Sequence, residues 1–354
     1  MFGRKKQRKT RREWQDAPDP GKDEVAPDSH AEPRQVTSVV QRVLAEAGCP
    51  AAPSGASEVR TATGPFEVTV AVDVAPLAFS VDALWTGELP ATDRSVLHAL
   101  NEWNAGHTVP RVHAELDGRG TLRVRADSVL TAGAGVTVRQ LDEWVRRALA
   151  GLSSLAEFLA AQWPDVHAPF PEADDVSTGM GAYTGDLRLL VTPGNRYGLA
   201  GGPTPAVSLD RMAACLTADG VRTTATREEG ASGRRGNGWL RPTGPDGGPG
   251  TGADIALHDG ALSVTAGAAL GEIDGPTADW VMSLCGATNV LPGGVVAVLG
   301  TAAGAGATLT CALHRPVGSG LSEAQLAEVL HHDRDLVWRR YRELGAEITG
   351  ETGA

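Results

Sequence analysis

Paired cysteines are missing from this chain. Its four, Cys49, Cys215, Cys285 and Cys311, lie no closer than 26 residues apart. That spacing excludes a CxxC metal knuckle or redox pair. A chain of 354 residues with four cysteines is no disulfide scaffold, and a reducing cytoplasm fits that usage. Long apolar runs are missing as well. Nothing approaches the run of about 18 apolar residues that a membrane helix needs, so no transmembrane segment is expected. The basic N-terminus is followed by no apolar stretch, so a signal peptide is not expected either. Aromatic residues are scarce, while Ala, Gly and Pro are abundant, a bias typical of GC-rich coding. Ala and Gly are therefore weak signals by themselves. An overall excess of cations is absent too. The net charge of −11 argues against a protein that coats nucleic acid.

Catalytic signatures are equally sparse. The only Gly-Lys, Gly21-Lys22, is followed by Asp in a tail and is not a P-loop. The glycine stretches at Gly179 and Gly198 lack the full dinucleotide fingerprint and a following helix, and read as linker. Ser153-Ser154 has no strand-turn setting for a nucleophile. In His331-His332-Asp333-Arg334-Asp335 the adjacent histidines point about 100° apart on a helix, too far to share one metal. A His331–Asp335 pair at i and i+4 is the simpler reading. His98 and His113 read as surface or packed histidines. No cofactor or metal is implied, and no enzyme is expected.

What is present is order in two stretches, enough chain for two domains plus tails. Residues 1–34 read as a disordered tail, basic then acidic and Pro-rich. Its first part carries Arg4, Lys5, Lys6, Arg8, Lys9, Arg11 and Arg12 with no acid. A solvated tail is the plain reading, and weak contact with an anionic surface is the alternative. Val36, Val39, Val40, Val43, Leu44 and Ala47 then mark one face of a helix, stopped by Gly48. Strand patterns follow near 58–63, 66–72 and 76–84. A helix is expected over about 94–104, capped by Thr92 or Asp93. A hairpin turns at Asp117-Gly118. A long helix begins after Gly133 and Gly135 with Thr137-Val-Arg-Gln140, the spacing of a capping box.

Residues 164–204 are rich in Gly, Pro and Asp and read as a connection, with Leu187–Val191 as one candidate strand. Order resumes with a helix over Ala206–Ala218. Residues 228–252 read as a flexible loop, and strand signals return at 253–266.

The two stretches match at an offset of 185 residues, ungapped from 96–160 to 281–345. Asn104 matches Asn289. Gly133 and Gly135 match Gly318 and Gly320. Ser322-Glu-Ala-Gln325 is a second capping box, placed where Thr137 to Gln140 stands in the first stretch. Phe79-Ser-Val-Asp-Ala83 resembles Leu262-Ser-Val-Thr-Ala266 at a slightly different offset. Each copy then reads α-β-β-β-α-β-β-α. Asn104 and Asn289 recur at a predicted helix end, where a left-handed cap or a side-chain bond to the following loop explains them better than ligand contact.

That order, with Asn101-Glu-Trp-Asn104, the hairpin at Asp117-Gly118 and Gly135 before the last helix, resembles the YbjN family. The resemblance covers 35–163 well. It is degenerate over 205–345, where Asn289 remains but Gly286 stands in place of Asn101. It implies an α+β fold like that of the type III secretion chaperones, two tandem domains each with a curved antiparallel sheet packed with helices. It also implies a non-catalytic, protein-binding, chaperone-like or regulatory adaptor in the cytoplasm, with an unidentified protein partner. A small-molecule or anion-sensing regulator with its ligand between the copies is the second reading. Asn101, Asn104, Asn289, Gly135, Gly320, Thr137, Gln140, Ser322 and Gln325 are the motif residues. Because the chaperones dimerise, two copies in one chain suggest either a monomer that is its own dimer or a homodimer.

Overall fold

The structure, a computed structural model, describes residues 33–74, 77–171, 204–227, 237–243, 252–302 and 306–350. The basic head and the candidate strand at 187–191 lie outside these residues. The first unit runs α1 (Pro33–Glu46), β1 (Ala52–Pro53), β2 (Glu58–Thr63), β3 (Phe66–Val74), β4 (Leu77–Trp85), β5 (Leu89–Pro90), α2 (Ser95–Gly106), β6 (Arg111–Leu116), β7 (Thr121–Thr131) and α3 (Val138–Gln162). The second runs α4 (Leu209–Ala218), β8 (Thr223–Arg227), β9 (Gly238–Pro242), β10 (Asp254–His258), β11 (Ala261–Gly271), α5 (Gly275–Val290), β12 (Val296–Ala302), β13 (Gly306–Pro316) and α6 (Glu323–Thr349).

Each unit is an antiparallel sheet with helices, and the strand orders coincide. One sheet reads β6-β7-β4-β3-β2-β1, with β5 also beside β7; the other reads β12-β13-β11-β10-β9-β8. Register coincides too. Phe79 lies opposite Leu130 and Leu262 opposite Arg315, while Ala83 lies opposite Ala126 and Ala266 opposite Cys311. Residues 130 and 126 map to 315 and 311 by the same 185-residue offset, so the Phe79–Ala83 likeness falls in matched register.

The cores follow the patterning. On β3 and β4, Val68, Val70, Val72, Phe79, Val81 and Ala83 point inward, as period-two alternation requires. Against them α3 buries Leu141, Trp144, Val145, Ala148, Leu152, Leu155 and Leu159. Each Leu fully buried there contributes roughly 1.5–3 kcal/mol. The second unit has its own cluster, built on Leu240, Ile255, Leu257, Leu262, Val264, Leu326, Leu330 and Val337.

Several expectations need correcting. The stretch 228–252 is not one loop. It holds β9, which pairs with both β8 and β10. Only Leu240 marks its buried side strongly while Trp239 and Arg241 face away, too short an alternation to stand out among glycines and prolines. The α-β-β-β-α-β-β-α order omits β8 in the second unit and the two-residue β1 and β5 in the first. Helix α1 begins at Pro33, inside the expected tail; proline suits a first helical turn, where its missing N–H costs nothing. Helix α4 begins at Leu209, later than Ala206, because Ser208 caps it. The N-cap of α2 is Arg94, not Thr92 or Asp93; the Asp93 carboxylate accepts from the N–H and hydroxyl of Ser95 instead. The connection also starts later than 164: Val166 and Ala168 pack on the first core, and the Thr86 hydroxyl donates to the Pro169 carbonyl at 2.7 Å.

Candidate functional site

The polar side chains singled out above converge where the two units meet. Both capping boxes are formed. Thr137 N–H donates to Gln140 Oε1 at 2.8 Å and Gln140 N–H to Thr137 Oγ1 at 3.1 Å. Ser322 and Gln325 repeat this at 2.8 and 3.2 Å. Capping uses only part of each amide. Gln140 Nε2 donates to the Gly320 carbonyl at 2.7 Å and to Gln325 Oε1 at 3.1 Å. Gln325 Nε2 returns the pattern, to the Gly135 carbonyl at 2.9 Å and to Gln140 Oε1 at 3.1 Å. Every donor and acceptor of both buried amides is thereby used, the condition under which a buried polar network stabilises.

The glycines before each helix are part of the same arrangement. Gly135 and Gly320 have φ of +90° and +79°, which side chains other than glycine rarely adopt. Gly133 and Gly318 are small for a different reason. A Cβ at Gly133 would collide with the Glu328 carboxylate, and one at Gly318 with that of Glu143. These carboxylates accept from loop amides of the opposite unit: Glu143 from Gly318 N–H at 3.1 Å and Ser319 N–H at 2.7 Å, Glu328 from Ala134 N–H at 2.7 Å.

The asparagines act on sheet edges. Asn104 is buried inside α2, not at a left-handed helix end. Its amide accepts from Val112 N–H at 2.9 Å and donates to the Val112 carbonyl at 2.7 Å. Asn289 does the same to Ala297, at 2.6 and 3.0 Å. Val112 and Ala297 lie on β6 and β12, the edge strands, whose outward peptide groups need partners. Asn101 reaches across the junction and holds Leu299 on β12 in the same manner, at 2.9 and 2.7 Å.

Two ion pairs close the junction. Arg111 makes a two-pronged contact with Asp127, both bonds 2.8 Å, and its third nitrogen donates to the Leu291 and Val295 carbonyls of the second unit. Arg315 does likewise with Asp333 at 2.8 Å and donates to the Val129 carbonyl of the first unit. Near them are two buried histidines. Burial pushes His314 down to about 4, and burial with neighbouring Arg111 lowers His113 against the opposing pull of Asp127 and Glu115. His314 Nδ1 lies 2.7 Å from the Ser263 hydroxyl. In the second core, burial drives the Cys285 and Cys311 thiols up to about 12, so neither is a thiolate nucleophile at neutral pH.

Sequence reasoning singled out the glutamines, the glycines and Asn104, Asn289 and Asn101, all of which lie here, but not Arg111, Asp127 and Arg315; Asp333 was weighed only within the His331–Asp335 stretch, whereas it pairs with Arg315. Glu143 and Glu328 stood in the aligned columns, and that match was their only signal. His331 pairs with Asp219 at 2.6 Å, not with Asp335. His98 lies 3.1 Å from Asp279 across the junction. Among the described residues no cluster of three or more His, Cys, Asp or Glu could hold a metal, and no helix is long and apolar enough to cross a membrane. A cavity of about 170 Å³ lies between α2 and α5, lined by Asn101, Ala114, Met282 and Gly286 among others.

These features define a two-unit α+β protein with two antiparallel sheets and a polar, reciprocal junction. Residues 38–161, within the first unit, match the model of the YbjN family, described as "Putative bacterial sensory transduction regulator". Among solved structures the chain is similar to the crystal structure of YbjN from E. coli, described as "a putative transcription regulator". Identity is 15%, the TM-score is 0.31, and the match covers 38% of this chain and 96% of that one. No curated protein matches.

Proposed function

We propose that the protein is a regulatory adaptor without catalysis of its own, built as an internal pseudo-dimer of two YbjN-like domains. The domains are residues 33–169 and 205–349, joined by a connection within 170–204. The observation that carries this reading is the reciprocal lock at Gln140 and Gln325. Each unit gives the other the contact it receives, which is how a homodimer is organised about a two-fold axis. On that ground the second unit is a diverged copy of the first. The regulatory role rests on the description of the family that the first unit matches.

The partner is a protein that engages the sheet faces opposite the helices. Ser80, Asp82 and Arg125 stand half-buried on one such face, and Ser263, Thr265, Thr308 and Thr310 on the other. The compartment is the cytoplasm, and Arg4 to Arg12 add weak contact with anionic surfaces. Affinity capture from the source cells tests this, using the intact chain beside Arg125→Glu and Thr265→Arg. The expected result is one reproducible protein partner, held by the intact chain and lost with a face variant, and a monomer in sedimentation. A chain that captures no partner and turns over a substrate sinks the proposal.

A second reading, a small-molecule-sensing regulator with its ligand between the units, is favoured by one observation, the cavity between α2 and α5.

A further inference from the structure

The geometry points to a binding site for a small primary carboxamide in the cavity between α2 and α5. This inference deepens the second reading and rests on it. It starts from a break in the symmetry of the junction. On the β12 edge, two successive outward peptide groups are held by amides. Asn289 holds Ala297, and Asn101 from the other unit holds Leu299, two residues further on. On the β6 edge, Asn104 holds Val112. The next outward group is that of Ala114. Strand pleating repeats every two residues, so its N–H and C=O face the same way as those of Val112.

The position that corresponds to Asn101 is Gly286, at the 185-residue offset. It has no side chain with which to hold Ala114. A Cβ built there has nothing within 4 Å, so the space for the missing amide is open. Ala114 and Gly286 both line the cavity of about 170 Å³.

The molecule itself displays what such an edge takes. At Leu299, Ala297 and Val112 the partner is a carboxamide whose oxygen accepts from the N–H and whose nitrogen donates to the C=O. A carboxylate only accepts and an ammonium only donates, so each leaves one of the two backbone groups unmet. The rest of the lining includes Leu97, Leu100, Met282 and Val290, which suits a compact apolar substituent. A cavity of roughly 150 Å³ holds a guest the size of benzene. The ligand class is therefore a primary carboxamide on a small aromatic or branched aliphatic group. Bound there, it joins the β6 edge of the first unit to α5 of the second.

The test uses the intact chain, with benzamide and isobutyramide as probes and benzoate and benzylamine as shape-matched controls. Melting temperature and the NMR shift of the Ala114 amide are read to roughly 10 mM, the range that so small a ligand needs. The expected result is saturable movement of the Ala114 amide and a rise in Tm with benzamide but with neither control. Gly286→Asn supplies the amide covalently and is expected to raise Tm by about 2–4 °C and to abolish benzamide binding. Equal responses to benzamide, benzoate and benzylamine overturn the carboxamide assignment. If Gly286→Asn raises Tm but no carboxamide binds, the edge is open yet the site is not a ligand site; ligand sensing elsewhere at the junction then survives. If Gly286→Asn lowers Tm and no probe binds, both the edge geometry and the site fall.

Discussion

At the junction the first unit offers Asn101 where the second has Gly286, and the second offers Arg315 and Asp333 where the first has Leu130 and Ala148. The two units keep the same lock and differ in what surrounds it. Gln140 and Gln325, Glu143 and Glu328, and Asn104 and Asn289 make equivalent bonds from equivalent positions. The buried charges obey no such symmetry. Arg111–Asp127 bridges two neighbouring strands, while Arg315–Asp333 joins a strand to a helix inside the second core. The lesson is that the backbone groups of the capping loops and of Val112 and Ala297 take equivalent partners, because an unmet buried amide or carbonyl is costly wherever it lies, while Leu299 and Ala114 part company where Asn101 faces Gly286. An ion pair can be placed anywhere its own partner and remaining donors are satisfied, so it is free to differ.

The sharpest way to break that comparison is to remove one cation at a time. Arg315→Met leaves the Asp333 carboxylate buried and unpaired, and urea unfolding is expected to show a loss of about 3–5 kcal/mol. Arg111→Met is expected to cost less, because Asp127 is 14% exposed and Asp333 0%. Equal losses contradict the ranking.

Acid distinguishes the units next. His113 and His314 are held neutral when folded and take up protons when unfolded. Their contribution is present above the unfolded value near 6.5 and is lost as pH falls toward the folded one. For His314, lowered to about 4, the loss between those limits is on the order of 3 kcal/mol. Chemical denaturation from pH 7 to 4 is expected to be flatter for His314→Asn than for the native chain, and less changed by His113→Asn.

The lock itself is expected to behave symmetrically. Gln140→Ala and Gln325→Ala each strand a buried carbonyl and the partner amide, for a loss of roughly 1–3 kcal/mol. The two losses are expected to be similar, and the double variant to cost less than their sum, as shared bonds are lost once. Additive losses in a double-mutant cycle speak against a shared network. The smallest effect is at Gly286. Gly286→Ala removes a flexible residue from a helix interior with open space beside it, and a gain of about 1 kcal/mol is expected in thermal unfolding. Asn101→Ala is expected to act in the opposite direction by releasing Leu299.

Much of the scaffold could be read from contiguous residues. The stripes of α1 and α3, the strands β3 and β4, the hairpin at Asp117-Gly118 and the spacing of both capping boxes lie within a few positions of one another. The 185-residue offset added the equivalence of Gly133 and Gly318. Strand β9 escaped because a five-residue strand among glycines and prolines has too few alternations to register. The cap of α2 escaped because Asp93 is one residue removed from the position that the geometry uses.

What the sequence determined by itself is thus the local chemistry: which stretches are helix or strand, where the two capping boxes stand, and that two stretches match at a fixed offset. Those features arise from contacts three or four residues apart, or from alternation along one strand, and short segments contain them whole. Only the tertiary structure decided that each capping glutamine also holds the opposite unit, that Gly133 makes room for Glu328, and that Arg315 answers Asp333 and Val129 together. A guanidinium or a spare amide hydrogen carries no local preference for one partner over another. Its partner is set by which strand edge or loop the packed cores bring within 3 Å, some 180 residues away in the chain.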